Sequence, residues 1–320
     1  MSYRTEKIAQ EKTKKHLRSI AVGVLCAVIL TMCVFSAFVP AESWKYYFNL
    51  PKLSQRAAGE LRAHFLDAEN GNCVLIELPD GKNVIVGGGE NDGVVKERVF
   101  RFLNALNIKT IDALIVPNYT ANGVGILREL VRFYDVKQAY LPMKTASNAE
   151  YAAFVADLSR GGIPAYEAQS GLIFGETDSY ELRVLLPLGN ATPAMDTVLS
   201  LSYFGIDFLL GDGYAEECLE SLITEKRIGL WEKWGIEIEE FELLQVSNLV
   251  SAEVLSAFAE EFDCSSAIFS CRGGEGYTPK EDALTAMQDL GLYTYRTDLN
   301  GYISVSIRGA KGYSVNTQKS

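Results

Sequence analysis

Ser19 to Val39 (SIAVGVLCAVILTMCVFSAFV) is a run of 21 residues without a single charge. As a helix it is long enough to cross a hydrocarbon core of about 30 Å. A helix that is apolar on every face needs lipid or a large protein core around it, so this run divides the chain into unequal parts. Ahead of it, Arg4, Lys7, Lys12, Lys14, Lys15 and Arg18 are opposed only by Glu6 and Glu11. A basic arm on that side predicts a cytoplasmic N-terminus, with residues from about 41 onward outside the cell. A cleaved secretory signal is the other reading, with Val39-Pro40-Ala41 offering small residues near a cleavage position. Against it, both the arm and the run are long for a signal peptide.

The expected organisation is therefore a cytoplasmic basic arm over 1–18, a membrane helix over 19–39, a polar and aromatic tether over 40–60, and one extracytoplasmic domain over 61–320. At 48% hydrophobic and 22% charged residues, the chain can bury a large core. The formal charge of −11 divides into +4 on the arm and −15 on the rest. A body this acidic repels phosphate backbones and argues against direct nucleic-acid binding.

Short strands alternate with helical periodicity along the body. Strands are predicted at 63–67, 73–78 and 83–86, the last two joined by the turn Pro79-Asp80-Gly81-Lys82. Val95, Val99, Phe102, Leu103 and Leu106 recur at helical spacing, and Ile111 to Val116 is a continuous apolar strand before a second helix. The second half repeats the theme, with Phe204-Gly205 predicted as a hairpin turn and Asn300-Gly301 as another. Such a pattern predicts a layered α/β body. The histidines are only His16 and His64, and neither has a neighbour at ligand spacing. Cys73, Cys218, Cys264 and Cys271 are read as buried free thiols, because a strand between the last two holds them too far apart to bond.

Several segments together resemble the hydrolase domain of ComEC/Rec2 competence-type proteins, which has the metallo-β-lactamase fold. Asp67-Ala68-Glu69-Asn70-Gly71-Asn72 is similar to D-V-G-Q-G-D, and Leu78-Pro79-Asp80-Gly81-Lys82 opens a stretch like L-P-D-G-K-x-I-L-I-D-G-G. Tyr295-Arg296-Thr297-Asp298-Leu299-Asn300-Gly301-Tyr302-Ile303 matches Y-R-T-D-x-N-G-x-I almost throughout. The resemblance covers about residues 62–313 and implies an αββα sandwich of the metallo-β-lactamase type, preceded here by one transmembrane helix. It also implies where zinc ligands would lie. After Ile111-Asp112-Ala113-Leu114-Ile115-Val116, the metal motif T-H-P-H-A-D-H is replaced, with Asn118, Thr120, Asn122 and Gly123 at the ligand positions. Asn248 replaces a further histidine, and Asp212 corresponds to the bridging aspartate if one residue is deleted, whereas an ungapped match puts Gly213 there.

These substitutions imply a pseudoenzyme with no catalytic residue, metal or cofactor. Asn118, Tyr119, Thr120, Asn122, Asp212 and Asn248 are the candidate ligand-binding residues of the former active site. The expected partners are the membrane, through 19–39, and an unidentified surface protein or small ligand. Asp67, Glu69, Glu90, Asp92 and Asp212 could instead gather a hard cation. A hydrolase of phosphodiester or other ester bonds with a rebuilt, histidine-free site is the catalytic alternative. An accessory role in DNA uptake follows only from the resemblance.

Overall fold

The computed structural model describes residues 2–38, 53–142, 148–177, 180–186, 196–211, 216–246, 250–274, 276, 279–310 and 312–319. The chain divides into two compact units, Met1–Pro51 and Lys52–Ser320. In the first, a single helix, α1 (Ser2–Phe38), runs through both the basic arm and the uncharged run. The arm carries four Lys, two Arg and two Glu, all good helix formers, and no Gly or Pro, so nothing in it ends the helix before the apolar run starts. Lys14–Val34 is long and apolar enough to cross a membrane, and its side chains are exposed.

The second unit opens with an antiparallel meander, β1 (Leu61–Phe65), β2 (Val74–Glu77) and β3 (Asn83–Val86). The turn at Pro79–Lys82 forms as its sequence predicts, with Gly81 N donating to Leu78 O at 3.0 Å and Leu78 N to Lys82 O at 2.8 Å. Then come α2 (Gly93–Ala105), β4 (Thr110–Ile111), β5 (Ala113–Ile115), α3 (Ala121–Val124), α4 (Leu127–Phe133), β6 (Asp135–Val136), β7 (Ala139–Leu141), α5 (Ala149–Gly161) and β8 (Ala165–Glu167). The second half supplies β9 (Ile173–Thr177), β10 (Tyr180–Leu186), β11 (Val198–Tyr203), β12 (Ile206–Leu210), α6 (Glu216–Arg227), α7 (Leu230–Lys233), β13 (Leu243–Val246), α8 (Ala252–Glu261), β14 (Ser266–Phe269), α9 (Glu281–Asp289) and β15 (Tyr293–Arg296). A short helix, α10 (Thr297–Asn300), leads to the closing hairpin of β16 (Ile303–Ile307) and β17 (Tyr313–Thr317).

These strands make two large mixed sheets, ordered β17-β16-β1-β2-β3-β5-β7-β8 and β15-β14-β13-β12-β11-β10-β9, with β4 and β6 paired apart from them. Each sheet is antiparallel on one side and parallel on the other. The parallel strands are β3, β5, β7 and β8 in the first sheet and β12 to β15 in the second. The sheets face each other across a shared core, in which Phe65, Val74, Ile303 and Ile307 of the first meet Leu182, Leu201, Phe208 and Leu243 of the second.

Strand β16 alternates cleanly. Ile303, Val305 and Ile307 point into that core, and Ser304 and Ser306 take the other face, as a strand with one wetter side should. By contrast β13 and β14 are buried along their whole length. On the outer side of the second sheet, α6, α8 and α9 contribute Leu219, Leu222, Leu255, Phe258 and Met287 to a second core with Leu244, Val246 and Phe269. On the outer side of the first, the Phe102 ring of α2 meets the His64 ring of β1 edge to face at 5.0 Å. Helices thus lie outside two facing sheets, the layering that the resemblance implies.

Three features differ from the sequence-based expectation. Asn300-Gly301 is not a hairpin turn: it ends α10 on the crossover from β15 in one sheet to β16 in the other, and Asn300 Oδ1 accepts from Arg296 N at 2.9 Å. The hairpin lies one strand later, between β16 and β17. Residues 53–60, expected within a tether, pack onto the body: Arg62 Nη1 donates to Ser54 O at 2.8 Å, and Arg56 Nη1 donates to Leu78 O. Helices α5 and α7 and strands β8, β9 and β17 are additions that the sequence reading does not contain. The four cysteines of the body are buried thiols, as expected.

The packing makes a direct prediction. Phe208 is fully buried on the inner face of β12, so Phe208→Ala should cost about 3–5 kcal/mol in a urea titration of the detergent-solubilised chain. Tyr293, 71% exposed, should lose under about 0.5 kcal/mol on the same truncation.

Candidate functional site

Parallel strands place their carboxyl ends on one edge of a sheet, and the loops leaving those ends form the natural crevice of such a fold. Here the loops after β1, β3, β5, β12, β14 and β15 are tied into one another. Gly89 N donates to Asn72 O at 2.9 Å, and Asn72 Nδ2 donates to Gly211 O at 2.9 Å. Gly211 N donates to Gln245 Oε1 at 3.1 Å, and Gln245 Nε2 to Ser270 Oγ at 3.2 Å. Cys271 N then donates to Thr297 Oγ1 at 3.0 Å. Thr197 N reaches Pro117 O at 2.8 Å, joining the start of β11 to the loop after β5.

Glycine lets the first-sheet loops touch. A Cβ on Gly88 would stand 2.1 Å from Val124 O, and one on Gly125, whose φ is +35°, would stand 1.9 Å from Gly89 O. No side chain fits there, so Gly87-Gly88-Gly89 and the loop carrying Asn118 to Gly123 meet backbone to backbone.

Within that loop the expected ligand-binding residues divide. Asn118 is buried, and its Oδ1 accepts from Thr120 N at 3.1 Å and from Thr120 Oγ1 at 2.5 Å. Thr120 Oγ1 in turn accepts from Gly123 N at 3.1 Å, capping α3. Both side chains are engaged in shaping the loop. Tyr119 and Asn122 are half-buried at its rim. Asp212 and Asn248 lie outside the described residues.

Zinc does not fit this arrangement. The Asn118 and Thr120 oxygens are hydrogen-bonded to the loop, and amide and hydroxyl oxygens are poor substitutes for imidazole at a borderline-soft ion. Gly123 offers no donor, and a Cβ added there would stand 2.2 Å from Asn118 Oδ1. Among the described residues, no group of three or more His, Cys, Asp and Glu is placed to hold a metal. Of the acidic residues that could gather a hard cation, three have cationic neighbours instead. Arg98 Nη1 lies 3.0 Å from Asp67 Oδ2 and 2.6 Å from Glu69 Oε1, and Arg272 Nη1 lies 3.6 Å from Glu90 Oε2.

Three residues outside the expected set belong to this region. Gln245 is a lone amide in a fully buried apolar strand, and a polar group in that position must find partners; the run Leu243-Leu244-Gln245-Val246 carries that signal. Asn72 stands where the resemblance puts an aspartate. The third is Asp196, adjacent to the Thr197–Pro117 contact, where burial lifts its carboxyl from 3.8 to about 7. On the far side, burial and the Asp298 hydrogen bond push the Cys271 thiol up to about 12, so it is not a nucleophile at neutral pH.

The chain matches no family model and no curated protein. Among solved structures, CmlA, a diiron β-hydroxylase from Streptomyces venezuelae, is similar over 80% of this chain at 13% identity and a TM-score of 0.49. The chain spans 55% of the length of CmlA. Zinc-bound PqqB from Methylobacterium extorquens is similar over 74% of this chain and 87% of its own, at 8% identity and a TM-score of 0.44. A metallo-β-lactamase from Cronobacter sakazakii follows at 15% identity and 0.33, over 52% of this chain and 64% of its own. At these scores the architecture rests on the chain's own strand pairing.

Asp196 gives the site a pH signature. Its pKa is raised on folding, so between about pH 4 and pH 7 the folded chain holds a proton that the unfolded chain has lost. The resulting penalty is absent below about pH 4 and complete above about pH 7. Asp196→Asn should therefore raise the melting temperature at pH 8 and leave it nearly unchanged at pH 4; an equal shift at both would remove ionisation as the cause.

Proposed function

We propose that this chain is a membrane-anchored protein of the metallo-β-lactamase type whose hydrolytic centre has been replaced, and that it works outside the cell as a binding or partner module. The observation that carries this reading is the closed hydrogen-bond path Asn118–Thr120–Gly123, which occupies the positions where the resemblance puts metal ligands. Tyr119 and Asn122, half-buried at the rim, remain available to contact a small polar ligand or a surface protein. The apolar stretch Lys14–Val34 with its basic flank supports the anchored topology.

Asp196 favours a second reading. A carboxyl titrating near pH 7 beside the loop could serve as a general base without metal, giving a hydrolase with a rebuilt site. A bell-shaped or sigmoidal pH–rate profile on ester substrates, lost in Asp196→Asn, would favour it.

Purified full-length protein should contain far less than one zinc per chain, and a chelator should leave its melting temperature unchanged. Stoichiometric zinc that survives dialysis, with stability lost on chelation, would overturn the pseudoenzyme reading. Protease added to intact cells should degrade the body and spare the N-terminal arm. Full protection of the body in cells whose other surface proteins are cut would place it inside.

A further inference from the structure

A cavity of about 560 Å³ lies on the outer face of the first sheet, against β1, β16 and β17. The strand register explains its chemistry. Arg62 and His64 on β1 pair with Ser306 and Ser304 on β16, which pair with Ser314 and Asn316 on β17. Their neighbours in each strand point into the core between the sheets, so this face is polar across three strands.

Among the described residues, the charges that line the cavity are already paired. Glu60 Oε1 accepts from Arg308 Nε at 2.9 Å, and Glu77 Oε2 lies 2.5 Å from Arg62 Nη2 and 2.8 Å from His64 Nε2. Burial holds the His64 imidazole below its ordinary pKa of 6.5, against the opposing pull of Glu77. What remains is a set of groups that can each donate and accept. Ser304 Oγ lies 2.6 Å from His64 Nδ1, Ser306 and Ser314 face each other at 3.3 Å, and Asn316 adds an amide. Arg62 also lines the cavity, but it is 6% exposed and its Nε is shielded from solvent. The other wall is apolar: Leu53, Leu106 and the Tyr302 ring, itself held edge to face on Phe102 at 4.9 Å.

We propose that this cavity binds a neutral polyhydroxylated ligand, a sugar of one or two rings. A sugar presents ring hydroxyls that donate and accept together with an apolar C–H face, matching the two walls. The volume falls within the roughly 300–1,000 Å³ usual for small-molecule sites. An anion would be drawn by an uncompensated cation, whereas Arg62 and Arg308 each have a carboxylate at contact distance. The site is separate from the loops around Asn118, and its ligand does not depend on whether that region is catalytic.

The test uses full-length protein in a zwitterionic detergent, because a glycoside detergent would compete. Methyl glucoside, N-acetylglucosamine, maltose and galactose are titrated by calorimetry and saturation-transfer NMR, with inorganic phosphate as the anionic probe. At least one sugar should saturate with a Kd below about 10 mM. Ser314→Trp and Asn316→Leu, at exposed positions of β17, should each weaken it at least about tenfold with melting temperatures unchanged; Tyr293→Ala on the other sheet should not. The proposal fails if no sugar saturates, if phosphate alone binds, or if both β17 variants fold and bind as the parent does.

Discussion

The first sheet is completed only when β16, near the end of the body, returns to β1, where the body starts. Strand β16 lies antiparallel to β1, and the His64–Ser304 contact closes a separation of 240 residues. Contacts this distant in sequence cannot form until the intervening chain is collapsed, and their loop-closure entropy must be offset by burial. The inner faces supply it: Leu61, Ala63 and Phe65 are wholly buried against Ile303, Val305 and Ile307. The second sheet is laid down between those two strands in sequence, so both sheets depend on the same closure.

That architecture delivers loops to a common edge whether or not a metal is there to hold them. Here amides and glycines join them. Asn72 ties the first-sheet loop to Gly211, and Gln245 carries the connection to Ser270. A buried amide that finds partners avoids the desolvation penalty of an unpaired polar group, about 1–3 kcal/mol. Gly88 and Gly125 permit the close approach that a larger residue would prevent. The result is a joined set of loops held by neutral hydrogen bonds, without the pH-dependent ligand deprotonation that metal binding needs.

Much of this was legible in the sequence. The turns at Pro79–Lys82 and Phe204-Gly205 are set by local chemistry, and at the second Phe204 and Gly205 adopt φ of +53° and +73°. The layered α/β body follows from periodicity, which depends only on side-chain direction. Helix α5 escapes the periodicity argument although both of its ends are marked: Asn148 Oδ1 accepts from Glu150 N and Tyr151 N, and Gly162 ends it at φ +65°. Asn300-Gly301 misleads because a dipeptide specifies a local bend and cannot say which sheet the next strand will join. The roles of Asn118 and Thr120 lie beyond sequence reasoning for a related reason, since only the folded loop decides whether a side chain lines a pocket or braces its own backbone.

Helix α1 has a mechanical consequence. Its 37 residues extend about 55 Å at 1.5 Å each, against about 30 Å of hydrocarbon. Were the uncharged run placed in lipid, the surplus at the basic end would have to leave the bilayer as a stiff rod or bend along the headgroups. Because the helix is continuous, rotation or tilt imposed at either end is carried to the other. A flexible arm would transmit neither.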